Sequence, residues 1–246
     1  MKHTYAILRE VDCQIDPVKA SQILSRFIRL SRAEVQQALH DRPGMLAWDM
    51  SEDDAREAAK GLILAGMPCR VVREDHLTRV PSLPRNTIRS ATLEEEYLVF
   101  RSLEWEGHLR WENIRLLDIV QEVTAATEMV NDVPGHLGSD PRSNRRKVRR
   151  TKIDVSVFLE IVCAEPLLRM RIDRAQFRYK STGLKMHTSR ELNFRALCIA
   201  INMRCPDALM GPGFRWISKG NNSHHASGNT RKKFENFATW LLTVEA

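Results

Sequence analysis

The chain has no apolar run approaching the roughly 18 residues that a membrane-spanning helix needs. It has no Cys-x-x-Cys pair either. Its five cysteines, Cys13, Cys69, Cys163, Cys198 and Cys205, stand apart, each in or beside an apolar stretch. That spacing argues against a zinc site or a disulfide framework and for buried free thiols. The opening Met1-Lys2-His3-Thr4 leads straight into a half-polar strand rather than a signal-peptide core, so a cytoplasmic location is expected. The signatures of common catalytic loops are missing too. There is no Gly-x-Ser-x-Gly elbow, and Gly211-Pro212-Gly213 lacks the Lys-Ser/Thr that completes a phosphate-binding loop. The acidic runs Asp53, Asp54, Glu57 and Glu94, Glu95, Glu96 sit at a helix start and a turn. Neither implies the apolar pocket that would drive two carboxyl pKa values apart. His224-His225 places two rings on different sides of an extended chain, and no carboxylate follows until Glu235. A shared metal there needs ligands from elsewhere, and a polar loop is the plainer reading. No metal, no cofactor and no enzymatic activity are expected.

What the chain does contain is globular in character. Of its 246 residues, 43% are hydrophobic and 28% charged. The net charge of +7 has one address. Arg142, Arg145, Arg146, Lys147, Arg149, Arg150 and Lys152 are seven bases within eleven residues, with no acid among them, and they account for the whole excess. Such a tract binds nucleic acid or an anionic membrane by counterion release, or serves only as a solvated loop. No aromatic residue lies inside it to stack on bases, and no amphipathic helix adjoins it.

The first 74 residues read β-α-α-β-α-β. Tyr5 to Val11 forms a strand. Asp16-Pro17 opens a helix, and Ser31 with Glu34 forms a capping box for a second. Arg42-Pro43-Gly44 stops that helix before the strand Met45 to Trp48. Ser51 caps a third helix ending near Gly66, and Cys69 to Val72 closes the unit. The run from Ser31 to Val72, with its capped helix, Pro-Gly break, Ser-Glu-Asp-Asp-Ala helix start and Leu-x-x-Ala-Gly end, resembles the C-terminal domain of the ribosomal stalk protein. More distantly it resembles the N-degron adaptor ClpS, which shares that architecture. The resemblance implies the fold. The stalk domain's lysine-rich face is not matched, since the counterpart helices carry Arg26, Arg29 and Arg32 among neutral residues. His40 falls near the adaptor family's histidine, but the family's Asn-Asp pair has no counterpart at Arg9-Glu10-Val11-Asp12, so that activity does not carry over.

Residues 75–86, with Pro81 and Pro84, read as a linker. Short strands follow over Thr87–Leu93, Glu96–Leu103 and Leu109–Trp111, then a long one to Val120. The stretch 125–152, rich in Pro, Gly and like charge, reads as an irregular insert. Val155, Val157, Leu159, Ile161 and Cys163 alternate with Asp154, Ser156, Phe158, Glu160 and Val162, predicting a strand with one mainly apolar face. Leu168, Met170 and Ile172 return as its partner, and Ser189 is placed to cap a helix over Arg190–Met203. Residues 206–229 read as irregular, and Thr230 as the cap of a last helix. The whole predicts an α+β chain: a small βααβαβ domain at 1–74, then a partly open antiparallel barrel or sandwich at 87–246 closed by a helix. The phrase Leu109-Arg-Trp-Glu-Asn-Ile114 and the alternation after it resemble bacterial pleckstrin-homology-like domains. Trp216, in a Gly/Pro-rich loop, is the candidate partner contact. The expected function is a non-enzymatic adaptor or scaffold binding other proteins through two modules. The alternative is a binder of nucleic acid or anionic membrane through residues 142–152.

Overall fold

The computed structural model describes residues 3–81, 87–132, 146–221 and 229–245. Local cap chemistry sets the first unit. Asp16 accepts from the backbone of Val18 and Lys19 and starts α1 (Pro17–Leu24) with proline in its first turn. Ser31 and Glu34 close a reciprocal capping box before α2 (Arg32–Asp41). Ser51 accepts from Asp54 N at the start of α3 (Glu52–Leu64), and the acids of its first turn suit the helix dipole. Strand β1 (Tyr5–Arg9) lies between β2 (Met45–Met50) and β3 (Cys69–Arg73), antiparallel to both. Because side chains alternate along a strand, Ile7 joins Leu24, Val35, Ala58 and Leu62 beneath the helices, while Ala6 and Leu8 belong to a different apolar cluster on the other face.

The rest of the chain contributes two sheets. Strands β4 (Thr87–Ile88), β5 (Ser90–Leu93), β6 (Tyr97–Arg101) and β7 (Glu106–Arg110) come first. Of these, β5-β6-β7 form an antiparallel meander. Next come β8 (Ile114–Asp132), β9 (Arg146–Cys163), β10 (Leu168–Asp173) and, after α4 (Arg190–Asn202), β11 (Leu209–Met210). They assemble with β4 in the order β11-β8-β9-β10-β4. Helices α5 (Pro212–Ser218) and α6 (Arg231–Glu245) complete the described elements. The meander, the larger sheet, α4 and α5 share one core containing Leu98, Trp111, Ile119, Leu159, Phe194 and Phe214.

Three sequence expectations are corrected. The larger sheet is mixed rather than antiparallel, and among the described residues no closed barrel forms. The two-residue strands β4 and β11 add parallel to its edges, β4 on β10 and β11 on β8. Residues 125–132 and 146–152 are not an irregular insert. They continue β8 and β9 as an antiparallel ladder from Ala125↔Ile153 to Asp132↔Arg146. Backbone hydrogen bonding there needs no apolar periodicity, the signal on which the sequence reading relied. Residues 133–145 lie outside the described residues. The stretch 206–221 is likewise ordered into β11 and α5, with Pro212 at a helix start and Trp216 on the helix rather than in a loop.

The element that joins these parts is α6. Its Phe234, Phe237, Trp240 and Leu241 cover the second face of the larger sheet at Leu116, Val120 and Val162, and the same cluster takes in Ala6, Leu8 and Met45 of the first unit. The Trp240 indole N–H donates to Arg9 O at 2.8 Å, and the Arg9 guanidinium stacks 4.2 Å from the ring centre. Arg70 donates to Val244 O, and Thr78 N to Thr243 Oγ1, so the 77–80 segment is docked, with Leu77 and Val80 packed on this cluster. Gly44 makes the seat for the indole. Its φ of +92° is left-handed, and a Cβ there would overlap the Trp240 ring. Gly44→Ala should therefore lower stability by about 3 kcal/mol, from backbone strain and overpacking together. Urea unfolding followed by tryptophan fluorescence and circular dichroism checks this. A loss below about 1 kcal/mol would mean that the indole does not sit on Gly44.

Candidate functional site

The strongest concentrations of polar chemistry lie where sequence reasoning did not place them. On the α6 face of the larger sheet, Glu160 is fully buried and takes three hydrogen bonds from two arginines. Arg169 Nε donates at 3.1 Å, and Arg171 donates through Nε at 3.1 Å and Nη2 at 2.6 Å. Arg171 reaches on to Glu122 at 2.8 Å, and Arg169 to Glu235 at 3.0 Å, which also receives Arg231 at 2.8 Å. The guanidinium planes lie over Phe158 and Phe234. Three glutamates and three arginines make a balanced set. Burial lowers the pKa of Arg171, but Glu160 and Glu122 outweigh it, and the net direction is up. Burial raises that of Glu235, yet the hydrogen bonds from Arg231 and Arg169 carry it below its ordinary value. Chemically this is a balanced ion network: among the described residues each of the six charges has a partner of opposite sign. The hairpin register holds its one readable signal, since Arg171 lies opposite Glu160 on adjacent strands.

A second buried carboxylate, Asp118 on β8, ties α5 and the entry to α6 onto the sheet. Its Oδ1 accepts from the backbone of Ile119 at 2.8 Å and Phe214 at 3.1 Å. Its Oδ2 accepts from Asn229 Nδ2 at 2.7 Å, which also donates to Ile119 O. A Cβ at Gly211 would fall on this carboxylate, and one at Gly213 on Ile119 O, so the Gly-Pro-Gly sequence serves close packing here. Burial raises the Asp118 carboxyl to about 7 against the hydrogen bonds that favour its anion.

Of the residues singled out in the sequence, Arg146, Lys147, Arg149, Arg150 and Lys152 fall on β9, in register with Ala126 through Asp132 of β8. Arg142 and Arg145 lie outside the described residues, as do His224 and His225. The exposed Val123 and Ile153 mark where the two strands leave the core. Trp216 is 42% exposed on α5, far along the chain from the tract. The structure does not bring it together with the described part of that tract on one element. The buried free thiols Cys163, Cys198 and Cys205 sit in the apolar core, where desolvation pushes Cys163 and Cys205 up to about 12. Among the described residues, no group of three or more His, Cys, Asp or Glu side chains is placed to hold a metal, and no helix is long and apolar enough to cross a membrane. No protein family, no curated protein and no solved structure matches the chain.

Asp118 generates a pH test. Its folded pKa of about 7 lies above the ordinary carboxyl value of 3.8. The folded state therefore keeps a proton that the unfolded state has released between these values. The contribution is complete below about pH 4 and is lost as pH rises to about 7. The limiting slope is about 1.4 kcal/mol per pH unit. In Asp118→Asn this fall should be absent, so the difference between wild-type and variant unfolding free energies should slope between pH 4 and 7 and flatten above. Parallel curves would show that the carboxyl is ionised throughout.

Proposed function

We propose that the chain is a non-enzymatic adaptor that holds a partner protein against the outer face of α4. The observation that carries this is a line of exposed apolar side chains. Leu192, Ile199 and Met203 are 45%, 41% and 76% exposed. Spaced by seven and four residues, they fall on one stripe of the helix, about 16 Å long at 1.5 Å per residue. The opposite stripe, with Phe194, Leu197 and Ile201, is buried in the core. Beside α4 stands α5, whose Phe214 and Ile217 join that core while Trp216 remains partly exposed. Scattered exposed apolar residues are ordinary on any protein surface; an aligned set on one helix is the pattern of an interface. The triple variant Leu192→Ser, Ile199→Ser, Met203→Ser should fold with an unchanged circular dichroism spectrum. It should lose the proteins that the wild-type chain cross-links in its native extract. Retention of every cross-linked partner would remove the reading.

A second reading is favoured by a separate observation, the ribbon of β8 and β9 beyond Val123 and Ile153. The nine residues 124–132 of β8, at about 3.3 Å each, carry it roughly 30 Å from the core. Its register sets Arg150 opposite Glu128 and Arg146 opposite Asp132, but Arg149 opposite Met129 and Lys147 opposite Asn131, an excess of positive charge. A two-stranded ribbon fits a major groove of about 12 Å. Under this reading the chain binds duplex nucleic acid by its backbone. Changing Arg146, Lys147, Arg149 and Arg150 to glutamine should then abolish most duplex binding and flatten its salt dependence, by about 0.9 in log–log slope for each phosphate that is no longer neutralised. Fluorescence anisotropy over a salt series measures this, and a wild-type chain that binds no duplex at moderate salt ends the nucleic-acid reading.

A further inference from the structure

A cavity of about 570 Å³ opens between the β1–α1 connection and the α2–β2 turn. Ile15, Leu39, Met45 and Leu46 give it an apolar wall, and Arg9 and Arg42 stand in the same lining. The volume is in the range of small-ligand sites, and apolar walls with a few polar groups are their usual make-up.

The charges around it are one-sided. No carboxylate belongs to the lining. Arg9 donates to the carbonyls of Val11 and Cys13 and lies against the Trp240 ring; Arg42 lies 3.7 Å from the centre of the Trp48 ring. Neither arginine is paired with a carboxylate among the described residues. The nearby acids are engaged elsewhere: Glu10 with Arg70, Asp41 with Lys233, and Asp16 in capping α1. Asp12 is exposed and outside the lining. Burial lowers the pKa of Arg9, the neighbouring Cys13 thiol works against that, and the positive charge of Arg215 on α5 lowers it again, for a net direction downward. A half-buried cation beside an apolar wall, with no anion of its own, is an arrangement that a bound anion would relieve.

We infer that this cavity binds an apolar chain ending in a carboxylate, with the chain against Ile15, Leu39, Met45 and Leu46 and the carboxylate held by Arg42 and Arg9. The sign of the lining is opposite to what an N-terminal ammonium would need. The site is separate from the α4 surface, and failure of either leaves the other untouched. Two sources carry this chemistry: the C-terminal residue of a peptide, and a free amphiphilic carboxylic acid. The probes for the full chain are octanoate, 1-octanol, octylamine, an acetylated tripeptide ending in leucine with a free carboxylate, and the same tripeptide as its amide. Isothermal titration calorimetry, with quenching of tryptophan fluorescence alongside, should show an acid binding about tenfold or more tighter than its uncharged counterpart. Arg42→Gln should lower the acid's affinity about tenfold and leave that of octanol unchanged, and Arg42→Lys should restore part of the loss. Tighter binding of the tripeptide marks a protein C-terminus as the source, and tighter binding of octanoate marks a free acid; either supports the site. Equal affinity for acid, alcohol and amine, no binding of either acid at millimolar concentration, or unchanged acid affinity in Arg42→Gln overturns it.

Discussion

The structure depends on a sheet that cannot be left with a bare side. Along β9, Val157, Leu159, Ile161 and Cys163 fill the core beneath α4, while Val162 and the intervening Glu160 are buried on the opposite face. A strand buried on both faces needs two covering layers, and the second is α6. The helix is wider than the strands it covers, so its far edge reaches the first unit, where Ala6, Leu8 and Met45 complete its contacts. Trp240 is the pivot. A side chain of this size removes on the order of 200 Å² from water, worth about 5 kcal/mol before entropy is counted. It does so at the one place where Gly44 leaves room.

The same double burial accounts for the charged interior. Glu160 and Arg169 are cut off from bulk water and Arg171 is mostly so, and desolvation makes any unanswered charge among them costly. Neutral pairing with Glu122, Glu235 and Arg231 is the arrangement that tolerates this burial. Replacing such a set by apolar residues is often no less stable, so its value is better sought in direction: arginine forks accept only a few partner positions, which fixes how α6 lies on the sheet.

Legibility in the sequence followed the range of the interaction. The mixed α+β character and the caps at Asp16, Ser31 and Ser51 were readable because each cap is satisfied within about one helical turn. The hairpin of β9 and β10 was readable from alternation on either side of Glu165-Pro166. The ladder beyond Ala125 was not, because like charge and a missing apolar period are also the marks of a loop. The Gly-Pro-Gly stretch misled for a related reason. Glycine signals a turn when read locally, whereas Gly211 and Gly213 answer to Asp118 and Ile119, which are distant in sequence. The cavity beside Arg9 was invisible for the same cause. Its wall is assembled from two connections, and the guanidinium beside it is held by a tryptophan 231 residues away.

The position of α6 in the chain also sets an order of assembly during synthesis. The first unit has all its own strands and helices once residue 73 has been made, but Ala6, Leu8 and Met45 wait for a helix that begins at Arg231. At about 5–20 residues per second, that interval is on the order of ten seconds or longer. Throughout it the nascent chain presents an apolar sheet face with an open Gly44 seat. The surface that α6 covers is thus made well before the helix, which joins the first unit to the larger sheet only after all the other described elements have been synthesised.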